Sequence, residues 1–369
     1  MINILLFVVL GGSLPVLYRL FLRPSRPDSW VFNPSAYGLP PRELLDSTRP
    51  GPPPPAQRTE ERQAVAQAAW DGHWQSAARY IRAAGDDWDE RWSRFEVLQY
   101  VAQEDDAWLD AWRAAEPGDC DAATLRASMM VHRAWKIRGS GYAHEVSASA
   151  MESFTSLLPA AIEEARRAAL LDPANPGPWV VMITAARGAK YKRAQFRRLW
   201  DELVARAPYH YEAHWQALQY WCAKWFGNNR LMMRFARQAV RKAPPGSPLA
   251  GMYVIALAEL GRRLPLVPPG TPLVRSRRLK RIAASFDQVA ADDERLPPLR
   301  HLLAYFMVRS MSYGPAVEQF RLIGPWCDAQ VWRGNGLAVP GFEAARRKAV
   351  KRSRIHPAPP APQTHGMAR

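Results

Sequence analysis

Cysteine is scarce in this chain and never paired: Cys120, Cys222 and Cys327 are odd in number, far apart and without CxxC spacing. That excludes a disulfide framework and a zinc ribbon, and the three read as reduced thiols of a cytosolic folded domain. A glycine-rich phosphate loop, a GxSxG elbow and an HExxH zinc helix are also missing. The residues therefore supply no recognisable catalytic apparatus, and the expectation is a protein that is not an enzyme and carries no cofactor. Alternating β-branched strands are absent too, whereas apolar residues recur at helical spacing, which points to an all-α body. Acidic residues are in deficit, 34 Asp and Glu against 50 Lys and Arg, for a formal charge of +16. Such a balance favours an anionic neighbour: lipid headgroups, nucleic acid or an acidic protein.

Long hydrophobic runs are lacking except at the N-terminus, where Ile2 to Tyr18 carries no charge and Leu20 to Leu22 extend it past Arg19. About 20 such residues cross a hydrocarbon core of roughly 30 Å, so residues 1–22 are expected to form a transmembrane anchor. No basic residue precedes Ile2 and an Arg-Pro sequence follows the run, unlike a cleaved signal peptide. Arg19, Arg23 and Arg26 all lie on its C-terminal side. The positive-inside rule then gives a single-pass protein, N-terminus out, with the remaining chain cytoplasmic. Residues 23–57 are proline-rich and end in Gly51-Pro-Pro-Pro-Pro55, a composition expected to act as a semi-rigid spacer. Residues 58–349 are expected to form the folded domain and 350–369 a basic, proline-rich disordered tail.

Within the body, Ala165 to Trp179, Leu203 to Trp215 and Ala239 to Tyr253 each run from an apolar helix face through a proline to an aromatic. Pro173, Pro208 and Pro244 fall 35 and 36 residues apart, near the period of a helix-pair repeat. Ala161, Ala165 and Ala168 followed by Leu171-Asp-Pro173 resemble the second helix of the tetratricopeptide family. Gly72-His-Trp74 with Ala77, and Gly227-Asn-Asn229 with Met232, resemble its interhelical turn. Tyr313-Gly314 before Ala316 and Phe320 looks like a late, degenerate copy. Phe196 and Leu203 depart from the pattern by standing where that family prefers alanine, and Gly139 to Leu158 looks like an insertion between two helices of one unit. At a finer level Arg138 to Val146, Lys224-Trp-Phe-Gly227 with Phe235-Ala-Arg237, and Phe320 to Gly324 with Trp326 are similar to a bacterial family of unknown function common in actinomycetes. That resemblance covers roughly Arg62 to Ala349 and brings no functional residues with it. The first resemblance implies a curved array of helix pairs that binds a protein or peptide on its concave face.

Charge is polarised along the chain. Ala56 to Leu125 holds 7 basic against 15 acidic residues, and Ala186 to Ile282 holds 20 basic against 4 acidic. Lys190, Arg193 and Arg197 recur at helical spacing, and Arg277, Arg278, Lys280 and Arg281 form a denser cluster. These seven are the candidate contacts for an anionic partner, either a lipid surface or, less readily, RNA or DNA. His210 and His214, four apart with Glu212 between them, are the best metal candidates, but the glutamate is misplaced for a metalloprotease and no third ligand is evident, so no metal site is expected. Trp70/Trp74, Trp88/Trp92, Trp108/Trp112 and Trp221/Trp225 are also four apart, which predicts shared helix faces and a role in packing.

Overall fold

The computed structural model describes residues 30–139, 146–263, 276–334 and 336–357. Among these residues sixteen α-helices follow one another without a strand. They are α1 (Ala56–Trp70), α2 (Trp74–Arg82), α3 (Trp88–Glu104), α4 (Ala107–Ala115), α5 (Cys120–Arg138), α6 (Ala148–Leu171), α7 (Gly177–Gly188) and α8 (Arg193–Arg206), then α9 (Tyr211–Trp221), α10 (Asn229–Lys242), α11 (Met252–Arg263), α12 (Ser276–Phe286), α13 (Leu296–Arg309), α14 (Tyr313–Ile323), α15 (Gln330–Arg333) and α16 (Ala338–Arg352). None of these helices is long and apolar enough to cross a membrane; the apolar run expected to be an anchor lies outside the described residues.

Each helix packs chiefly on those just before and after it, so apolar side chains collect into three successive cores. Prolines punctuate the array where the sequence suggested. Helices α6, α8 and α10 stop one residue before the residue preceding Pro173, Pro208 and Pro244, because the proline ring disfavours helical backbone just ahead of it. Phe196 and Leu203, large where alanine was the pattern, are fully buried. Phe196 stacks on Tyr220 with ring centroids 3.6 Å apart and planes within 4°, so the large side chain fills space between α8 and α9.

Three expectations are corrected. The segment 148–158, expected as part of an insertion between two helices, belongs to a helix itself: it is the first half of the 24-residue α6. It packs on Gly188 so closely that any Cβ there would meet Leu158 at 2.4 Å. The tryptophan spacing marks a shared helix face in only two pairs. A turn separates Trp70, 54% exposed at the end of α1, from Trp74 at the start of α2, and Trp225 lies beyond the end of α9. Trp108 and Trp112, by contrast, are both buried on α4.

The third correction concerns the proline-rich segment, which is not a free spacer over its described part. Residues 30–55 run as a strap along the C-terminal helices. Leu39 is buried in their core, with Trp30, Phe32, Tyr37 and Leu45 packed around it. The strap bonds to itself only in two short 3-10 turns, Ser35–Tyr37 and Arg42–Leu44, so its remaining carbonyls need donors from elsewhere. Arg321 donates to Tyr37 O at 2.8 Å, Arg346 to Pro40 O at 2.8 Å, and the backbone of Cys327 to Asp46 O at 2.8 Å. His301 Nε2 reaches Pro50 O at 2.9 Å, and Gly51 abuts Pro297, with room for no Cβ. The strap delivers the chain to α1, whose Arg58 and Arg62 pair with Glu294 on the turn between α12 and α13. The two ends of the array are thereby joined. At the far end, α16 continues to Arg352 and Ile355 packs on the core, so the ordered body passes the expected boundary at 349.

Candidate anion-binding groove

The amphipathic pattern of α10 sends Met232, Met233, Ala236 and Ala239 into the core and leaves Arg230, Arg234, Arg237 and Arg241 on the opposite side. Helix α12 does the same: Leu279, Ile282 and Phe286 are buried while Arg278 and Arg281 face out. The two basic faces meet along a groove of about 410 Å³ lined by Arg230, Arg234, Arg237, Arg241, Arg278 and Arg281 together with Val240, and among the described residues no carboxylate lines it. Among the described residues none of these six arginines is in an ion pair, although many other arginines are, Arg91 with Asp121 and Arg295 with Asp89 among them. Arg278 is held by stacking over Tyr253, 4.9 Å from the ring centroid. Guanidinium groups crowded this way repel one another, and a phosphate or carboxylate accepting paired N–H bonds removes that repulsion.

The seven residues expected to contact an anionic partner fall in different places. Arg278 and Arg281 line the groove, while the exposed Arg277 and Lys280 on the same helix do not. Lys190 is not on the α8 stripe at all: it sits in the preceding turn at φ 56. Arg193 opens α8, but its guanidinium is spent on Phe226 O at 3.2 and 3.1 Å. Arg197 lies 5.9 Å from the Trp221 ring and lines a smaller cleft with Trp200, Leu231 and Arg234, which it shares with the groove. The four arginines of α10 were missed. Their i, i+4, i+7, i+11 spacing was the available signal, hidden by the apolar residues between them.

A second cavity of about 410 Å³ opens between α1, α3, the start of α9 and the 290–295 turn, and it has the opposite sign. Asp87, Asp89, Glu90, Glu96, Glu212, Asp292, Asp293 and Glu294 line it, with only Arg58 and Arg295 as cations. Burial and the nearby Glu96 push Glu212 up to about 7. Burial raises Asp89 as well, against the pull of Arg295 at 3.2 Å.

The two histidines weighed as metal ligands serve the backbone instead. His210 caps α9 by accepting from Ala213 N at 3.4 Å, and His214 bonds His210 O at 2.9 Å. Burial lowers them to about 3 and about 4, so the 3.7 Å approach of His210 to Asp89 is not an ion pair. Among the described residues no group of three or more His, Cys, Asp or Glu is placed to hold a metal ion. The three cysteines are buried and unbridged, and burial pushes Cys120 up to about 12. Compared with known proteins, the chain matches no family model, no curated protein and no solved structure.

Proposed function

We propose that this chain is a membrane-tethered, tetratricopeptide-like binding protein that engages a phosphate-bearing anionic partner through the α10–α12 groove. One observation carries the reading: six arginines from two helices surround one groove that no carboxylate lines among the described residues. Tethering rests on the apolar run at 2–22 and the arginines behind it. The test is titration of the full chain, in neutral detergent, with inorganic polyphosphate. Reversal of Arg234, Arg241 and Arg278 to glutamate is expected to abolish binding that falls steeply with salt in the parent. Reversal of Lys190, Arg193 and Arg197 is expected to weaken it far less, since only Arg197 reaches the neighbouring cleft. Equal binding by the parent and the groove variant refutes the reading.

A second reading keeps the scaffold role but gives the partner a different site. The acidic cavity between α3, α9 and the 290–295 turn favours it, and there the occupant would be a lysine- or arginine-bearing peptide rather than an anion.

A further inference from the structure

The described chain begins on a surface unlike the rest of the molecule. Trp30 lies against α16, its ring 6.0 Å from the Arg347 guanidinium, and Phe32 packs beside it at 5.7 Å. Along α16, Arg347, Lys348, Lys351 and Arg352 fall at i, i+1, i+4 and i+5, all exposed, and Arg354 follows. The one acidic residue of the helix, Glu343, is engaged by Arg42 from the strap. Around this basic stripe stand large apolar side chains open to solvent: Val31 is 83% exposed, Leu337 at the head of α16 is 80% exposed, and Leu44, two residues from Arg42, is 64% exposed. Lone exposed apolar residues are ordinary, but a basic helix face rimmed with them is the composition of a surface that lies in a lipid interface.

We propose that the outer face of α16, with Val31, Leu44 and Leu337, is where this protein rests on an anionic bilayer. The inference rests on the tethered reading of residues 2–22 and adds an orientation to it. Seven residues, 23–29, separate Leu22 from Trp30, and a chain of that length spans at most about 25 Å fully extended. With the run embedded, the surface around Trp30 cannot stand farther than that from the headgroups. Arg23 and Arg26 lie in this short connection and add to the same charge. The leaflet's negative potential falls off within a Debye length of about 8–10 Å, a separation the tether permits, and inside it each basic residue is attracted to the leaflet. The arginine groove of α10 and α12 is separate from this face and is not needed for it.

The test uses the full chain reconstituted in vesicles of phosphatidylcholine with phosphatidylglycerol. All three native cysteines are buried, so an environment-sensitive dye is directed to an introduced thiol. Leu337→Cys carries the dye in one sample and Leu170→Cys, equally exposed at 80% on α6, in the control. Quenching by nitroxide lipids is expected at 337 and not at 170. It is expected to be lost at 337 in pure phosphatidylcholine and in the Arg347→Glu, Lys348→Glu, Arg352→Glu variant, while carbonate-resistant attachment to the vesicle persists. Equal quenching at both positions, or quenching at 337 that the charge reversal leaves unchanged, overturns the assignment of this face. Release of the parent chain by carbonate overturns the tether and the orientation together, a result the dye readings do not mimic.

Discussion

Acidification should destabilise this protein through three histidines that the fold keeps neutral. His301 is fully buried, accepting from Trp332 Nε1 at 2.7 Å on Nδ1 while Nε2 donates to Pro50 O at 2.9 Å. A proton added to Nδ1 would face another N–H, and burial lowers this imidazole to about 4. His210 and His214 stand at about 3 and about 4 for the same reason. In the unfolded chain each takes up a proton below about pH 6.5, so the unfolded state binds more protons and stability falls as pH falls. Each contributes about 1.4 kcal/mol per pH unit, about 4 kcal/mol per unit for the three. Glu212 acts in the opposite sense. Its folded value of about 7 means the folded chain holds a proton that the unfolded carboxyl has lost, so it returns about 1.4 kcal/mol per unit as pH falls towards about 4.5. The three histidines outnumber Glu212, so among these four groups the expectation is a loss of stability as pH falls from about 6.5 to about 4.5. Denaturant midpoints of the full chain in neutral detergent across that window measure it. His301→Gln, whose amide can give and accept the same two bonds, should reduce the slope by about 1.4 kcal/mol per unit. A flat or rising stability on acidification, or an unchanged slope in that variant, refutes the reasoning.

Three further outcomes are expected. Gly51→Val drives a side chain into Pro297, where a Cβ would already lie 2.4 Å from Pro297 Cβ. Stability should fall by about 1–3 kcal/mol and proteolysis within 30–55 should accelerate, whereas cleavage at the parent's rate would show that the strap is not docked there. Phe196→Ala removes a fully buried ring stacked on Tyr220 and should cost about 3–5 kcal/mol by chemical denaturation; a loss below about 1 kcal/mol would contradict the described packing of α8 on α9. Deleting residues 2–22 should move the chain from the membrane fraction to the supernatant after a high-salt wash, and persistence in the membrane would contradict the anchor.

The array's punctuation was legible because it depends on local chemistry. Pro173, Pro208 and Pro244 each follow a helix end, although Pro159 sits inside α6, and Gly72 lies in the interhelical turn its neighbours suggested. What depends on distant partners was not. Proline-rich composition tells that residues 30–55 form no long helix, but not that Arg321, Arg346 and His301, some 250 to 300 positions away, offer the donors that dock them. Spacing alone could not separate tryptophan pairs on one helix from pairs split by a turn, since both are four apart. Two of the groove's six arginines were visible in the density of charge at Arg278 and Arg281. The other four were diluted along α10, where they are spread over twelve residues and only the helical period gathers them.

Hydrogen–deuterium exchange of the full chain with and without inorganic polyphosphate most directly tests whether the arginine groove is the binding surface. Protection is expected over α10 and α12, with a weaker effect at the Arg197 end of α8, and none over α3 or the start of α9. Protection confined to the acidic cavity, or no protection at saturating polyphosphate, would contradict it.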